Sequence, residues 1–133
     1  MAIFTERIMN AENLREYCLS FKGAVDKMAF TKATSEYDRG LLAFYVKDKW
    51  FCFFNVDELD CCTLKCEPEE SKNLREKFAE IKPGYHMNKK HWISIDLNKN
   101  VPDKLIRELI RKSYDLVVAS LTKNDREDQS EDR

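Results

Sequence analysis

The sequence contains very little glycine, with only Gly23, Gly40 and Gly84 in 133 residues. Glycine-rich phosphate loops need several glycines close together, so neither a GxGxxG fingerprint nor a GxxxxGK phosphate-binding loop is present. The predicted strands and helices also do not alternate one by one, as they must in a parallel nucleotide-binding sheet. These two absences exclude the common nucleotide-binding folds.

Long apolar segments are also missing. No run approaches the roughly 18 apolar residues that a membrane span needs. The first ten residues, MAIFTERIMN, contain Glu6 and lack the apolar region of a secretory signal. The cysteine count is odd and includes no CxxC pair, which favours free thiols in a reducing compartment. We therefore predict a cytoplasmic protein without membrane association. The cysteines are Cys18, Cys52, Cys61, Cys62 and Cys66.

The chain lacks a strong net charge, since 23 lysines and arginines face 24 aspartates and glutamates. The last twelve residues, TKNDREDQSEDR, hold five acids and three bases, so we predict a disordered acidic tail at residues 122–133. The remaining 20 bases and 19 acids lie in residues 1–121, which we predict to form a single domain. This near-neutral body differs from the strongly basic balance of a dedicated nucleic-acid-binding domain.

The apolar spacing predicts a mixed arrangement of helices and strands. One helix begins after the N-cap Asn10, a second begins at Pro68, and a third begins at Pro102 and runs to about Leu121. LLAFYV, WFCFF and CCTLKC are typical of strands, as is HWISIDL before the third helix, and residues 28–30 are a candidate edge strand. We expect an α+β fold with a two-layer antiparallel sheet and helices on one face, in the order α-β(3)-α-β(2)-α.

LLAFYV and WFCFF flank a short polar segment that predicts a hairpin. A two-residue turn at Asp48 and Lys49 pairs Phe44 with Phe53. Strand alternation then places three aromatic residues on the face away from the helices, where a protein partner or a second copy could cover them. Alternatively, a helix or loop covers them, or the register differs by one residue and the two faces exchange. The three aromatics are Tyr45, Trp50 and Phe54.

Four segments together resemble one family. YCLSFKGAVDKMAF, TLKCEPEESKNLREKF, PGYHMNKKHW and SYDLVVASL, in this order and spacing, are similar to the MmcQ/YjbR family of small bacterial proteins. The resemblance covers roughly residues 10–121. It implies a two-layer α+β fold like that of secretion chaperones, also compared with the frataxin-like fold. It also implies the family's usual label of DNA binding, and it supplies no catalytic residues.

The segment PGYHMNKKHW, residues 83–92, combines cationic and aromatic side chains and has no acid. Lysines there could contact phosphates while aromatic rings stack on a base. The alternative is a polar turn between two strands, with the aromatics packed at the sheet edge. Two arginines of the third helix could extend the surface if they lie on the same side. The predicted nucleic-acid-binding residues are Lys82, Tyr85, His86, Lys89, Lys90, Trp92, Arg107 and Arg111.

Metal and catalytic chemistry have weaker sequence support. His86 and His91 are five residues apart, which puts them on opposite faces of a strand, and no second cysteine pair completes a zinc site with Cys62 and Cys66. No motif supplies the strained turn or oxyanion donors of acyl transfer. We therefore predict a non-enzymatic protein without metal or cofactor, a weak and poorly sequence-selective DNA-binding module. The alternative is a protein-interaction or chaperone-like adaptor that uses the aromatic face and forms a homodimer.

Overall fold

The computed structural model describes residues 10–85, 87–98 and 100–121. The predicted tail at residues 122–133 lies outside these residues. The α+β class is confirmed, and the predicted α-β(3)-α-β(2)-α succession is present, with β1 and the short α2 inserted after α1. The elements are α1 (Ala11–Leu19), β1 (Val25–Met28), α2 (Glu36–Arg39), β2 (Leu41–Val46), β3 (Lys49–Asn55), β4 (Cys61–Lys65), α3 (Pro68–Lys77), β5 (Ile81–Pro83), β6 (Trp92–Asp96) and α4 (Asp103–Ala119).

The helix boundaries lie at the predicted capping and proline residues. The side chain of Asn10 accepts a 2.8 Å hydrogen bond from the backbone N–H of Asn13, which caps α1. Pro68 begins α3, where its missing N–H costs nothing. In α4 the buried residues recur at helical spacing and form the stripe that packs on the sheet. They are Ile106, Leu109, Ile110, Ser113 and Val117.

The six strands of the described residues form one antiparallel sheet in the order β1-β2-β3-β4-β6-β5. α1, α3 and α4 contribute side chains to the main core on one face, as predicted for a two-layer fold. The second face carries a smaller apolar cluster around Phe53 and Trp92, which Phe30 and Tyr37 cover. The short helix α2 therefore contributes to the face opposite the long helices.

The predicted turn of the β2–β3 hairpin is wrong by one residue. Val46 pairs with Lys49, so the turn is formed by Lys47 and Asp48, at φ values of 50° and 69°. Two positive φ values in a two-residue loop give the twist that a hairpin requires. Val46 lies in the main core with no exposed surface, on the same face as in the predicted register, and only its partner in β3 differs.

A β-bulge in β3 changes which aromatics share a face. Tyr45 pairs with Trp50 and Phe44 pairs with Cys52, so Phe51 is skipped in the pairing. Tyr45 and Trp50 do lie on the same face, as predicted. The prediction that Phe54 joins them is wrong, because Phe54 is 1% exposed in the main core on the opposite face.

Candidate nucleic-acid interface

A groove opens on the second face of the sheet where β4, β6 and β5 end. It has a volume of about 480 Å³, and an adjoining hollow of about 340 Å³ shares part of its wall. We call the two together the β5–β6 groove. Its wall includes Tyr37, Asp60, Cys61, Glu80, Lys82, Pro83, Gly84, Tyr85, Lys89, Ser94, Asp96 and Asn98.

The close packing of Gly84 on Trp92 positions one side of the groove. The backbone N–H of Gly84 donates to the carbonyl oxygen of Trp92 at 2.8 Å. A β-carbon on Gly84 would lie 2.5 Å from Cβ of Trp92, so only glycine fits without a backbone shift. The Trp92 ring packs on Phe53 with 6.4 Å between centroids and is buried, with 7% of its surface exposed. The predicted stacking of Trp92 on a base is therefore wrong, since its ring fills the second apolar cluster.

Two tyrosines form the aromatic part of the groove. Tyr85 is 39% exposed, and its hydroxyl donates to Oδ1 of Asp38 at 3.0 Å. Its ring meets Tyr37 edge to face, with 5.8 Å between centroids. The Tyr37 hydroxyl donates to Oδ1 of Asp60 at 2.8 Å. Burial and this hydrogen bond raise the pKa of Tyr37, so its hydroxyl remains a donor at neutral pH.

The floor of the groove is polar and hydrogen-bonded. Ser94 and Thr63 share a 2.7 Å hydrogen bond between their hydroxyl oxygens, and the backbone N–H of Tyr85 donates to Oγ of Ser94 at 3.0 Å. Burial, with a smaller contribution from the Asp60 carboxylate, raises the pKa of the Cys61 thiol to about 11. The thiol is therefore protonated at neutral pH, when it is a weak nucleophile.

The groove carries charges of both signs. Lys82 and Lys89 line it together with the carboxylates of Asp60, Glu80 and Asp96. Within the described residues, neither of these lysines forms an ion pair. The arrangement offers cationic and acceptor groups to one ligand. Across the parts of the chain that the structure describes, no group of three or more metal-ligating side chains is close enough to hold a metal ion.

A polar turn holds Lys89 and Lys90 beside the groove. Asn88 accepts from the backbone N–H of Lys90 at 2.8 Å through its side chain and from that of His91 at 3.2 Å through its carbonyl oxygen. Lys89 and Lys90 are both exposed. Lys82, Tyr85, Lys89 and Lys90 are thus brought together at one end of the sheet, as PGYHMNKKHW suggests. The predicted residue His86 lies outside the described residues.

The two predicted arginines do not join this surface. Arg107 and Arg111 lie on α4, which packs on the opposite face of the sheet. The carbonyl oxygen of Arg107 accepts from the Tyr17 hydroxyl at 2.9 Å, and its guanidinium carbon lies 5.0 Å from the centre of that ring. Arg111 lies 4.0 Å from the carboxylate of Asp115. Arg107 therefore contributes to the packing of α4 against α1.

The sequence did not indicate Tyr37, Asp60 or Asp96 as site residues. Tyr37 belongs to the four-residue helix α2, and Asp60 follows a polar loop whose acids are ordinarily solvated. Asp96 appears in the sequence as the polar position of an alternating strand. Only the pairing of β4 with β6, in which Cys61 lies opposite Asp96, brings these acids to one place.

The aromatic face lies at the other end of the sheet. Val25, Tyr45 and Trp50 form a row across β1, β2 and β3, and Val25 is 46% exposed. Phe30 packs edge to face on Trp50 with 5.8 Å between centroids, and Lys27 lies 5.2 Å from the centre of the Tyr45 ring. Both aromatics are half-buried, so the segment after β1 covers part of this face.

No helix in the described part of the chain has the length and apolar character needed to cross a membrane.

Several uncharacterized bacterial proteins are similar to the chain. YbdF of Escherichia coli O157:H7 is 47% identical over 62 residues, which are 47% of this chain and 51% of YbdF. YyaQ of Bacillus subtilis strain 168 is 49% identical over 59 residues, 44% of this chain and 49% of YyaQ. These two alignments span about half the length of each relative. YjbR of Escherichia coli K12 is 29% identical over 119 residues, 89% of this chain and 95% of YjbR.

Solved structures show the same fold. The crystal structure of DR2400 from Deinococcus radiodurans, described by the domain name DUF419, superposes with a TM-score of 0.79 at 28% identity, covering 92% of this chain and 89% of DR2400. A crystal structure of a Pseudomonas syringae protein gives a TM-score of 0.66 at 29% identity, covering 82% of this chain and 99% of that protein. The profile of the YjbR family matches residues 19–116. The chain therefore belongs to the YjbR family.

Proposed function

We propose that this YjbR-family protein is a non-enzymatic module that binds DNA weakly and with little sequence selectivity. The binding surface is the β5–β6 groove and its rim, where Lys82, Lys89 and Lys90 contact phosphates and Tyr85 contacts a base. The observation that carries the proposal is the position of two lysines, neither ion-paired within the described residues, in the same groove as an aromatic ring that is 39% exposed.

This combination suits a single strand better than a duplex. Proteins that bind single strands join a cationic path for the backbone with aromatic rings on which bases stack, and stacking needs an unpaired base. Three lysine–phosphate contacts to a single strand give a log–log salt slope of about −2. With so few contacts and a near-neutral body, affinity is low, and this slope lowers it about 16-fold between about 50 and about 200 mM salt.

The carboxylates restrict where the DNA backbone can lie. Asp60, Glu80 and Asp96 line the groove and repel phosphate oxygens that enter it. Lys90 is exposed beside the groove on the same turn as Lys89. The backbone therefore follows the lysines at the rim, while the uncharged base points into the groove.

Fluorescence anisotropy of a labelled single strand and its duplex tests the proposal, at salt concentrations of about 50 and about 200 mM. The Lys89→Glu/Lys90→Glu variant is expected to lose about tenfold or more in affinity for the single strand and to flatten the salt slope. A matched control, Lys72→Glu/Lys104→Glu, makes the same charge change at two exposed lysines outside the groove. Equal losses in both variants, or no binding by the unmodified protein at low salt, would overturn the proposal.

A second candidate is an adaptor that forms a homodimer through β1. This strand is one of the two edge strands of the sheet, and Val25 and Met28 on it are 46% and 38% exposed. Among the described residues its outer edge pairs with no other strand, and an edge of this kind favours pairing with a second copy. Light scattering tests this candidate. A dimeric mass that Met28→Lys converts to a monomeric one supports it, and a monomer throughout the anisotropy titration range contradicts it.

A further inference from the structure

We propose that the β5–β6 groove selects unpaired bases that carry an exocyclic amino group and disfavours thymine. This inference rests on the proposed DNA binding and adds a base preference to it. The carboxylates of Asp60, Glu80 and Asp96 line the groove together with Lys82 and Lys89, and Lys90 is exposed on the turn beside it. Ionised carboxylates only accept hydrogen bonds, so the part of a ligand that reaches them must present N–H or O–H donors.

Two of these carboxylates are each held in place by a hydrogen bond to one of their two oxygens. Oδ1 of Asp60 accepts from the Tyr37 hydroxyl at 2.8 Å, and Oδ1 of Asp96 accepts from the backbone N–H of Asn98 at 2.9 Å. In the described part of the chain, neither Oδ2 atom accepts a hydrogen bond. Each carboxylate therefore presents a second oxygen in a fixed orientation. An acceptor fixed before binding loses little freedom when it takes a donor.

The size and walls of the groove fit one base. The larger part of the groove has a volume of about 480 Å³, which is within the roughly 300–1,000 Å³ of small-molecule sites. Tyr85 is held by its backbone bond to Ser94 and its hydroxyl bond to Asp38, so its ring is positioned before a ligand arrives. Tyr37 packs edge to face against the same ring, with an angle of 83° between the two ring planes. A base that stacks on Tyr85 meets the carboxylates with its edge.

The bases differ in the hydrogen-bond donors and acceptors on this edge. Cytosine and adenine carry an amino group, whereas thymine places the acceptor O4 at the corresponding position. A carbonyl oxygen facing an ionised carboxylate forms no hydrogen bond, because both groups are acceptors and neither receives a donor. Thymine also carries a C5 methyl group that cytosine lacks. Loss of the cytosine preference in the Asp60→Asn and Asp96→Asn variants, and not the preference alone, therefore reports hydrogen bonding rather than fit. A discrimination of roughly 5- to 100-fold is expected for one good carboxylate–amino contact.

Competition between oligo-dC and oligo-dT strands of about ten nucleotides tests the preference, with anisotropy as the readout. The unmodified protein is expected to prefer oligo-dC by roughly 5-fold or more. Asp60→Asn and Asp96→Asn keep the side-chain shape but add an amide donor that can pair with O4 of thymine. Each variant should reduce the oligo-dC preference, and each should bind oligo-dT at least as well as before. Lys89→Glu should weaken both strands by the same factor.

The possible results separate the two proposals. If neither strand binds at low salt, the proposed DNA binding fails and the base preference fails with it. Equal binding of both strands by the unmodified protein contradicts only the base preference. A dC preference that persists in both Asn variants places base recognition outside the groove and overturns the inference. Circular dichroism melting of each variant establishes that it is folded before its binding is compared.

Discussion

The hydroxyl of Ser113 donates a 2.5 Å hydrogen bond to the carbonyl oxygen of Phe51. The same hydroxyl oxygen accepts from the backbone N–H of Lys65 at 2.9 Å. Phe51 is the bulged residue of β3, so its backbone is outside the regular ladder with β2. Ser113 thus links α4 to β3 and β4 and satisfies polar backbone groups that the bulge leaves inside the protein.

Replacement of Ser113 by alanine is expected to destabilise the fold. The variant leaves a buried carbonyl and a backbone N–H without this partner, which costs about 1–3 kcal/mol. Urea unfolding followed by circular dichroism measures the loss. Ser120→Ala is the control, because Ser120 is exposed and its hydroxyl bonds to the carbonyl of Val117 within the last turn of α4, three residues away. A change below about 0.5 kcal/mol in the Ser113 variant would contradict the bridging role.

Local signals in the sequence predicted the helices and the class of fold. Asn10, Pro68 and Pro102 begin or precede helices because capping and proline chemistry act within a few residues. The hairpin register was less predictable, since Lys47-Asp48-Lys49 contains neither the Asn-Gly nor the Asp-Gly signal that fixes a two-residue turn. The bulge at Phe51 had no sequence signal at all. The bulge alone decided the face of Phe54, because the shift of the turn changes the pairing partners by two positions and keeps each side chain on its face.

Asp48→Gly is expected to stabilise the hairpin. Asp48 adopts a φ of 69°, where a side chain is strained and glycine is not. Relief of this strain exceeds the extra entropy of glycine in the unfolded chain, so we expect a gain of about 0.5–1 kcal/mol. Thermal melting measures it. Asp57→Gly, at an exposed turn position without positive φ, should lower stability or leave it unchanged. A loss in Asp48→Gly similar to that in Asp57→Gly would show that the left-handed backbone carries no strain.

Only part of the candidate site could be predicted, because local patterns in the sequence reveal residues that are close together in the chain and not long-range contacts. Lys82, Tyr85 and Lys89 lie within eight positions of one another, so one segment of sequence revealed them together. Asp38 bonds to the Tyr85 hydroxyl across 47 positions, and such a long-range contact leaves no local pattern in a single sequence. The buried state of Trp92 depends likewise on packing against Phe53 of another strand.

Stability should fall as the pH rises above 9.0. Burial is the main reason why the pKa of Cys66 rises from 9.0 to about 12 and the pKa of Cys61 rises from 9.0 to about 11. Between these values the folded thiols keep their protons while the unfolded chain loses them, so rising pH favours the unfolded chain. These thiols contribute no pH dependence well below 9.0. The measurement is the urea midpoint at about pH 8 and about pH 10.5. Cys66→Ser removes one titrating thiol and should show a smaller fall, whereas an unchanged fall would exclude Cys66 as a source.

Lys89→Glu and Arg111→Glu make the same charge change on opposite faces of the sheet. Arg111 is exposed, with 70% of its side chain accessible, and it lies on α4, away from the β5–β6 groove. If DNA follows the rim of that groove, Lys89→Glu should weaken binding severalfold, whereas Arg111→Glu should change it less than twofold, because screening at physiological salt reduces distant charge effects. Anisotropy with one labelled single strand measures both. The reverse order would place the DNA on the α4 side, where Arg107 and Arg111 would then provide the phosphate contacts.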